Sequence, residues 1–489
     1  MSQAEPRTSS PNILLLMADQ WRGDALGANG NDAIRTPHLD RLAAQGVTFA
    51  AAYSSTPSCT PARAGLLTGL APWHHGMLGY GRVRERYTCE IPQALGAAGY
   101  HTSGVGKMHW APQRALHGFD GTLLDESSRV ESPGFVSDYR QWFARISDGA
   151  DPDATGLDWN GYEARPYVHP EAWHPTAWTG QTAIDLINSY SGDAPFFFKV
   201  SFARPHSPYD PPPRFWDLYD EDAMPPPVVG KWAARYAAVG DPVPANTWHG
   251  DLGLAQARRS RRGYYGSIAF IDEQIGRILQ TLRDRGLYEN TLILFTSDHG
   301  DMLGDHHLWR KTYPYEGSTR IPMILRWPAP MGMDGRRGQT ATEPVELRDV
   351  LPTFLDAADA PIPEFLDGAS LLQLVRDEAA GWRPYLDLEH CACYAGDDGW
   401  TALTDGEWKY ISHAGVGCEQ LFHLRDDPGE RHDLAGDAAH RETLALWRSR
   451  MVEHLAERGE AYVREGRLVA PRRAQLYSPC YHSGYPAGA

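Results

Sequence analysis

A large, mostly parallel β-sheet covered by helices on both faces, with a smaller C-terminal unit behind it, is the α/β fold class this sequence predicts. Three observations predict it. Short, continuous apolar runs alternate with helical periodicity through most of the chain, the pattern of parallel strands buried on both faces. Several of those runs end on polar or charged residues, where open α/β sheets place their ligand sites. After Gly381 the texture changes to short strand-like runs, and 489 residues exceed what one average core organises.

Residues 12–17 form the first apolar run, a buried strand that delivers Asp19 and Gln20 just beyond its end. Residues 36–43 begin like a capped helix, and 47–52 return as a strand. The next helix opens near Cys59, because Pro61 suits a first helical turn and Gly69 an exit. Residues 91–98 read as a helix closed by Gly99, and 101–105 as a strand carrying Lys107 and His109 to its end. From Trp110 to about residue 182 the periodicity fails, and Asp, Gly, Pro, Trp and Tyr become frequent. Residues 195–202 restore a strand; a Pro-rich loop over 204–213 follows, then a second irregular region to about 257. Long irregular stretches in a regular domain are usually functional, and both are read here as walls of a substrate pocket. Residues 264–285 make the clearest helix, with Ile268, Ile271, Ile275, Ile278 and Leu282 on one face. Residues 291–296 form a buried strand leading to Asp298, followed by a run at 322–327 and a helix near 347–358. Beyond Gly381 come strand-like runs at 385–388, 400–403, 408–412 and 420–424, then a helix over 441–458. The expected domains are 1–380, with insertions near 110–182 and 207–257, and 381–489. Whether the Pro-, Tyr- and Gly-rich tail from about Gly466 wraps a neighbouring surface is left open by the sequence.

Composition narrows the function. Hydrophobic residues are 42% and charged residues 22%, as in an ordinary globular protein. The formal net charge of -16 argues against nonspecific nucleic-acid binding, so an anionic substrate must be drawn in by a local cationic pocket. No apolar run reaches signal-peptide or membrane-spanning length, which makes a cytoplasmic protein without a membrane partner the expectation. Six cysteines (Cys59, Cys89, Cys391, Cys393, Cys418 and Cys480) are too sparse and uneven for a disulfide framework. Cys391-Ala392-Cys393 lacks a second pair at zinc spacing and reads as reduced thiols on a strand.

The chemistry gathers around Cys59. A helix N-terminus presents free N–H groups and partial positive charge, so it favours anions and lowers the pKa of a thiol placed there. An isolated cysteine in such a place is ordinarily structural; the surrounding residues argue otherwise. Asp19-Gln20 and Asp298-His299 are two adjacent pairs at the ends of two strands, able to turn toward one hard cation. Arg63 lies one helical turn past Cys59, and Lys107 and His109 alternate at a strand end. His206 follows the strand at 195–202, and Lys311 lies thirteen residues past Asp298.

Cys59-Thr60-Pro61-Ala62-Arg63, continued by Ala64-Gly65-Leu66-Leu67-Thr68-Gly69, resembles the signature of the type I sulfatases of the alkaline-phosphatase-like superfamily. Asp19-Gln20, Gly106-Lys107-Met108-His109, Arg204-Pro205-His206, Thr296-Ser297-Asp298-His299-Gly300 and Lys311 extend the resemblance in the family's order. It implies a large mixed, mostly parallel sheet with a smaller C-terminal α+β domain, where one helix packs on an antiparallel sheet. It also implies that a formylglycine-generating enzyme oxidises Cys59 to formylglycine, an aldehyde that hydrates to a geminal diol. Asp19, Gln20, Asp298 and His299, with the formylglycine oxygen of position 59, are implied as ligands of one divalent metal. Calcium is the first expectation, with manganese or magnesium as alternatives, because Gln20 and His299 depart from the commoner Asp and Asn. By the same resemblance Arg63 holds the ionised hydrate, and Lys107 grips sulfate. His109 deprotonates the second hydroxyl, while His206 and Lys311 bind sulfate and support the leaving alcohol. One hydroxyl attacks sulfur, the alcohol departs, and elimination from the sulfate hemiacetal restores the aldehyde.

The implied substrate is a small-molecule or carbohydrate sulfate ester, and sixteen tryptophans permit stacking on a ring. Two rivals stand beside it: a phosphonate or phosphate ester hydrolase on the same scaffold, and a non-catalytic carbohydrate-binding protein in which Cys59 stays a thiol. A homo-oligomer is compatible with the sequence.

Overall fold

The computed structural model describes residues 10–392, 394–395 and 399–483. Cys393, and with it part of the Cys391-Ala392-Cys393 reading, lies outside the described residues. The strands in chain order are β1 (Asn12–Asp19), β2 (Val47–Phe49), β3 (Ala52–Tyr53), β4 (His101–Gly106), β5 (Gly121–Leu124), β6 (Phe196–Pro205), β7 (Thr291–Ser297), β8 (Met323–Arg326), β9 (Gln339–Ala341) and β10 (Val345–Glu346). An eight-stranded sheet runs β5-β4-β6-β1-β7-β8-β2-β9. Its pairings are parallel except those of β8, which runs antiparallel to both β7 and β2.

β1 is central, with Leu14 opposite Phe198 of β6 on one side and Ile293 of β7 on the other. Its side chains alternate between two cores. Ile13, Leu15 and Met17 pack with Leu66, Leu67, Val350 and Phe354. Leu14, Leu16 and Ala18 pack with Ile268, Ile271, Ile275 and Ile278 of the long helix Leu254–Asp284. A strand walled by helices on both faces has no solvated side, which is why its sequence reads as an unbroken apolar run.

The C-terminal sheet orders β11 (Leu386–His390), β12 (Trp400–Thr404), β13 (Trp408–His413) and β14 (Cys418–His423) as a fully antiparallel meander. One face takes the helix Arg441–Leu455 through Leu444, Trp447, Met451 and Leu455; the other packs Ala402, Ile411 and Phe422 on Tyr53, Met302 and Tyr315. Lys409 is buried at that joint between Glu316 (2.6 Å) and Glu430 (3.0 Å). The tail does wrap a surface: Tyr477 bridges to Met77, and Ser478 bonds back to Gly76 and Trp73. No helix among the described residues is long and apolar enough to cross a membrane.

Three expectations change. The stretch 110–182 is not uniformly irregular: it contains β5 and the helices Asp138–Ile146 and Pro175–Ser189. β5 is a short, half-exposed edge strand, too brief to show alternation. The helix Pro175–Ser189 buries Thr176, Thr179 and Gly180 alongside Trp178, Ala183 and Ile187, with Gly180 set closely against Gln274, so its buried face gives a broken apolar period. The long helix starts at Leu254 rather than Tyr264, because its first turns are arginine-rich, and the single run expected at 47–52 splits into β2 and β3.

Candidate active site

Adjacent parallel strands bring the first two groups together. With Ala18 beside Ser297, the ends of β1 and β7 place Asp19-Gln20 against Asp298-His299. Gln20 takes a left-handed backbone (φ 70°), a strained choice for a residue with a Cβ. It is held there by its N–H donating to Asp298 Oδ1 (3.0 Å) and its carbonyl accepting from Tyr264 Oη (2.6 Å).

The helix Cys59–Thr68 points its N-terminus at this junction. Ser58, its N-cap, does not cap with its side chain; Oγ turns to His390 Nε2 at 2.9 Å. The first N–H groups are thus left for an anion. Cys59 Sγ is buried, 3.2 Å from His299 Nε2 and 3.7 Å from Asp19 Oδ1. One donor atom each from Asp19, Cys59, Asp298 and His299 lies within 4.8 Å of the others, and all four residues are buried. His299 Nδ1 faces the Gly300 carbonyl at 2.9 Å, so that nitrogen carries the proton and Nε2 presents its lone pair to the cluster, the tautomer a metal ligand needs. Two carboxylates, an imidazole and a position-59 donor, all within reach of one point, are a donor set that fits a divalent cation.

Cations surround the cluster. Arg63 is fully buried and spans both strand ends: Nε donates to Asp298 Oδ2 (2.9 Å) and one terminal nitrogen to Asp19 Oδ2 (3.2 Å). The other terminal nitrogen donates to the Lys107 carbonyl (2.6 Å) and Ser201 Oγ (3.1 Å). Lys107 pairs with Asp19 and stands 3.7 Å from Cys59 Sγ. It follows Gly106, where φ is 91° and a Cβ would collide with the Ser201 carbonyl, so only glycine lets β4 end this close to β6. Lys311 Nζ donates to Gln20 Oε1 (2.7 Å) and meets His206 Nε2 (2.6 Å), while His206 Nδ1 bonds the Ser207 carbonyl.

The charge states follow from burial and neighbours. Burial alone would raise the Asp19 carboxyl, but the Lys107 ammonium and the Arg63 guanidinium hold it well below the usual range. Burial and Asp19 push the Cys59 thiol up, yet the Lys107 and Lys311 ammoniums outweigh them and bring it down to about 6. Burial, then Lys311, drives His206 well below its ordinary value, so the ring is neutral. Burial also lowers Lys311.

Two expected site residues sit differently from the rest. The Gln20 amide is locked between Lys311 and Asp301, with Nε2 donating to Asp301 Oδ2. His109 makes no hydrogen bond to Cys59. Its Nε2 is 3.3 Å from Glu131 and 3.4 Å from Tyr80 Oη, and its Nδ1 is 3.4 Å from Arg129. Burial, then Arg129, keeps that ring neutral. Sequence reasoning missed Asp301, His390 and the Tyr80–Arg129–Glu131 group. Asp301 directly follows the Ser-Asp-His-Gly run and was within reach; the others are delivered by distant segments without a local signal.

Residues 11–360 match the family model described as Sulfatase. The chain belongs to the sulfatase family. As a sulfatase it hydrolyses sulfate esters, and its fold is the alkaline-phosphatase-like one expected. Residues 304–457 of this sulfatase also match the model described as N-sulphoglucosamine sulphohydrolase, C-terminal. It is 38% identical over 475 residues to an arylsulfatase of Clostridium perfringens (strain 13 / Type A), covering 94% of this chain and 97% of that one. It is 31% identical over 504 residues to the choline-sulfatase of Rhizobium meliloti (strain 1021), covering 98% and 93%. Among solved structures it resembles the phosphonate monoester hydrolase of Agrobacterium radiobacter, with a TM-score of 0.78 at 26% identity, over 94% of this chain and 100% of that one.

Proposed function

We propose that Cys59 matures to formylglycine and that the sulfatase acts on small aryl, alkyl or sugar sulfates with one divalent cation. The observation that carries this reading is the donor cluster of Asp19, Asp298 and His299 closing on position 59 at an uncapped helix N-terminus. Asp19, Asp298 and His299 would hold the cation, with the Gln20 amide oxygen as a further donor once released from Lys311. Bound there, the cation supplies Lewis acidity to the nucleophilic oxygen and to the sulfuryl group. The imidazole among the donors moves the expectation from calcium, which takes oxygen ligands, toward manganese.

The chain's own residues divide the remaining work. Arg63 fixes both carboxylates in position, and its charge is spent on them. Lys107, beside position 59, binds a sulfate oxygen. Lys311 has three N–H donors; Gln20 and His206 take two, leaving one for the substrate. Its lowered pKa makes that ammonium a better acid, so it places a proton on the departing ester oxygen, and neutral His206 accepts from it at Nε2. His109 stands beside Tyr80, Glu131 and Arg129 rather than at position 59.

The test is steady-state turnover of 4-nitrophenyl sulfate and of a phenylphosphonate monoester, using protein co-expressed with a formylglycine-generating enzyme. The sulfate is expected to have the higher kcat/KM, with manganese retained on purification. Preference for the phosphonate would transfer the assignment to the rival hydrolase, to which the solved structure above is related.

A further inference from the structure

Every buried arginine among the described residues is ion-paired to a carboxylate, from Arg22 with Asp305 to Arg458 with Glu389. Arg129, half-buried beside the active site, departs from this pattern. No carboxylate among the described residues pairs with it, and its one side-chain hydrogen bond is to His109 Nδ1 at 3.4 Å. Glu131, two residues on, is turned to His109 Nε2 instead, so the anionic groups that act on the guanidinium, position 59, Asp19 and Glu126 among them, do so without contact.

The loop that presents Arg129 is built rather than slack. Gln113 is buried and spends its whole amide on it: Nε2 donates to the Arg129 carbonyl (3.1 Å), and Oε1 accepts from Glu131 N–H (2.9 Å) and Ser132 N–H (3.1 Å). Ser132 Oγ in turn accepts from Gln113 N–H at 3.1 Å. Beside it Tyr80, 41% exposed, stands edge-on to His109 with ring centres 5.9 Å apart, an open aromatic surface at the rim. A preset, partly desolvated guanidinium without a partner is costly unless an anion meets it. The transferring sulfate is already met by Lys107 and Lys311 around position 59. Arg129 bonds to neither lysine nor to Cys59.

We propose that Arg129 receives a second anionic group, a carboxylate or sulfate carried by the alcohol half of the substrate, whose ring rests against Tyr80. The preferred esters are then dianionic, and the fork geometry of guanidinium on an oxyacid supplies the selectivity. This rests on the sulfatase reading and adds which alcohols it favours.

The experiment compares 4-carboxyphenyl sulfate with the isosteric, neutral 4-carbamoylphenyl sulfate, in wild type and Arg129→Gln. The wild-type kcat/KM ratio, carboxylate over amide, is expected to exceed the variant's by about tenfold or more, the size of one charge-assisted contact. An unchanged ratio overturns the proposal. So does an equal loss on both substrates, which would put Arg129 on the transferring sulfate. Calorimetry with 4-hydroxybenzoate and 4-hydroxybenzamide repeats the comparison without turnover, and must show the carboxylate preference lost in Arg129→Gln. Absence of hydrolysis with that binding preference intact would refute the sulfate-ester reading and leave the anion receptor standing.

Discussion

Replacing Arg63 by lysine keeps the charge and removes the fork. The guanidinium now joins four acceptors: Asp298 Oδ2, Asp19 Oδ2, the Lys107 carbonyl and Ser201 Oγ. An ammonium on a single stem cannot span both carboxylates and the neighbouring strand. Asp298 Oδ2 has Arg63 as its side-chain partner, whereas Asp19 keeps Lys107. Losing one buried charge-assisted contact is worth about 2–3 kcal/mol, so if it is expressed in the placing of the two carboxylates, kcat falls about 30- to 150-fold. KM should move by less than about threefold, because Arg63 is fully buried and its charge is taken up by Asp19 and Asp298. Arg63→Met goes further: it leaves a buried carboxylate oxygen unpaired and should destabilise the fold by about 3–5 kcal/mol. The assays are initial rates on 4-nitrophenyl sulfate over a range of concentrations, and urea unfolding. Arg63→Lys turnover within threefold of wild type would refute the bridging role.

Two other perturbations test the frame around the site. His390 is held neutral and pushed down to about 4, first by burial, while it bonds Ser58 Oγ and the Cys391 carbonyl. Its folded pKa is below the unfolded value of about 6.5, so its contribution is complete above that pH and shrinks as pH falls toward 4. By pH 5 the loss is about 2 kcal/mol, and His390→Asn should flatten the fall in unfolding free energy between pH 6.5 and 5; parallel wild-type and variant curves would contradict this. Lys409→Met leaves Glu316 and Glu430 facing each other at the joint between the two sheets. Denaturant unfolding should show a loss of about 3–5 kcal/mol, and a change under 1 kcal/mol would mean the cluster is not holding the joint.

What was legible in the sequence was what the backbone makes local. β1 and β7 are buried on both faces, so their apolar runs, and the Asp19-Gln20 and Asp298-His299 pairs just beyond them, could be read directly. β11 to β14 were legible as four short strand-like runs, while their antiparallel pairing followed only from the family resemblance. β5 was not, being a short, half-solvated edge, and the helix Pro175–Ser189 hid because Thr176, Thr179 and Gly180 interrupt the apolar residues of its packing face. Within the site, residues that act through their own strand end were found. Those brought in by tertiary structure were missed: His390 comes from the C-terminal sheet, and Arg129 comes on a loop whose shape depends on Gln113.

The proposed chemistry turns on the chemical state of position 59. Peptide mass spectrometry with aldehyde-specific trapping, on protein whose turnover per mole has been measured, reads that state directly. An aldehyde at position 59 in a fraction that tracks turnover from batch to batch is the result predicted. Full turnover from chains that carry an intact Cys59 thiol would contradict it.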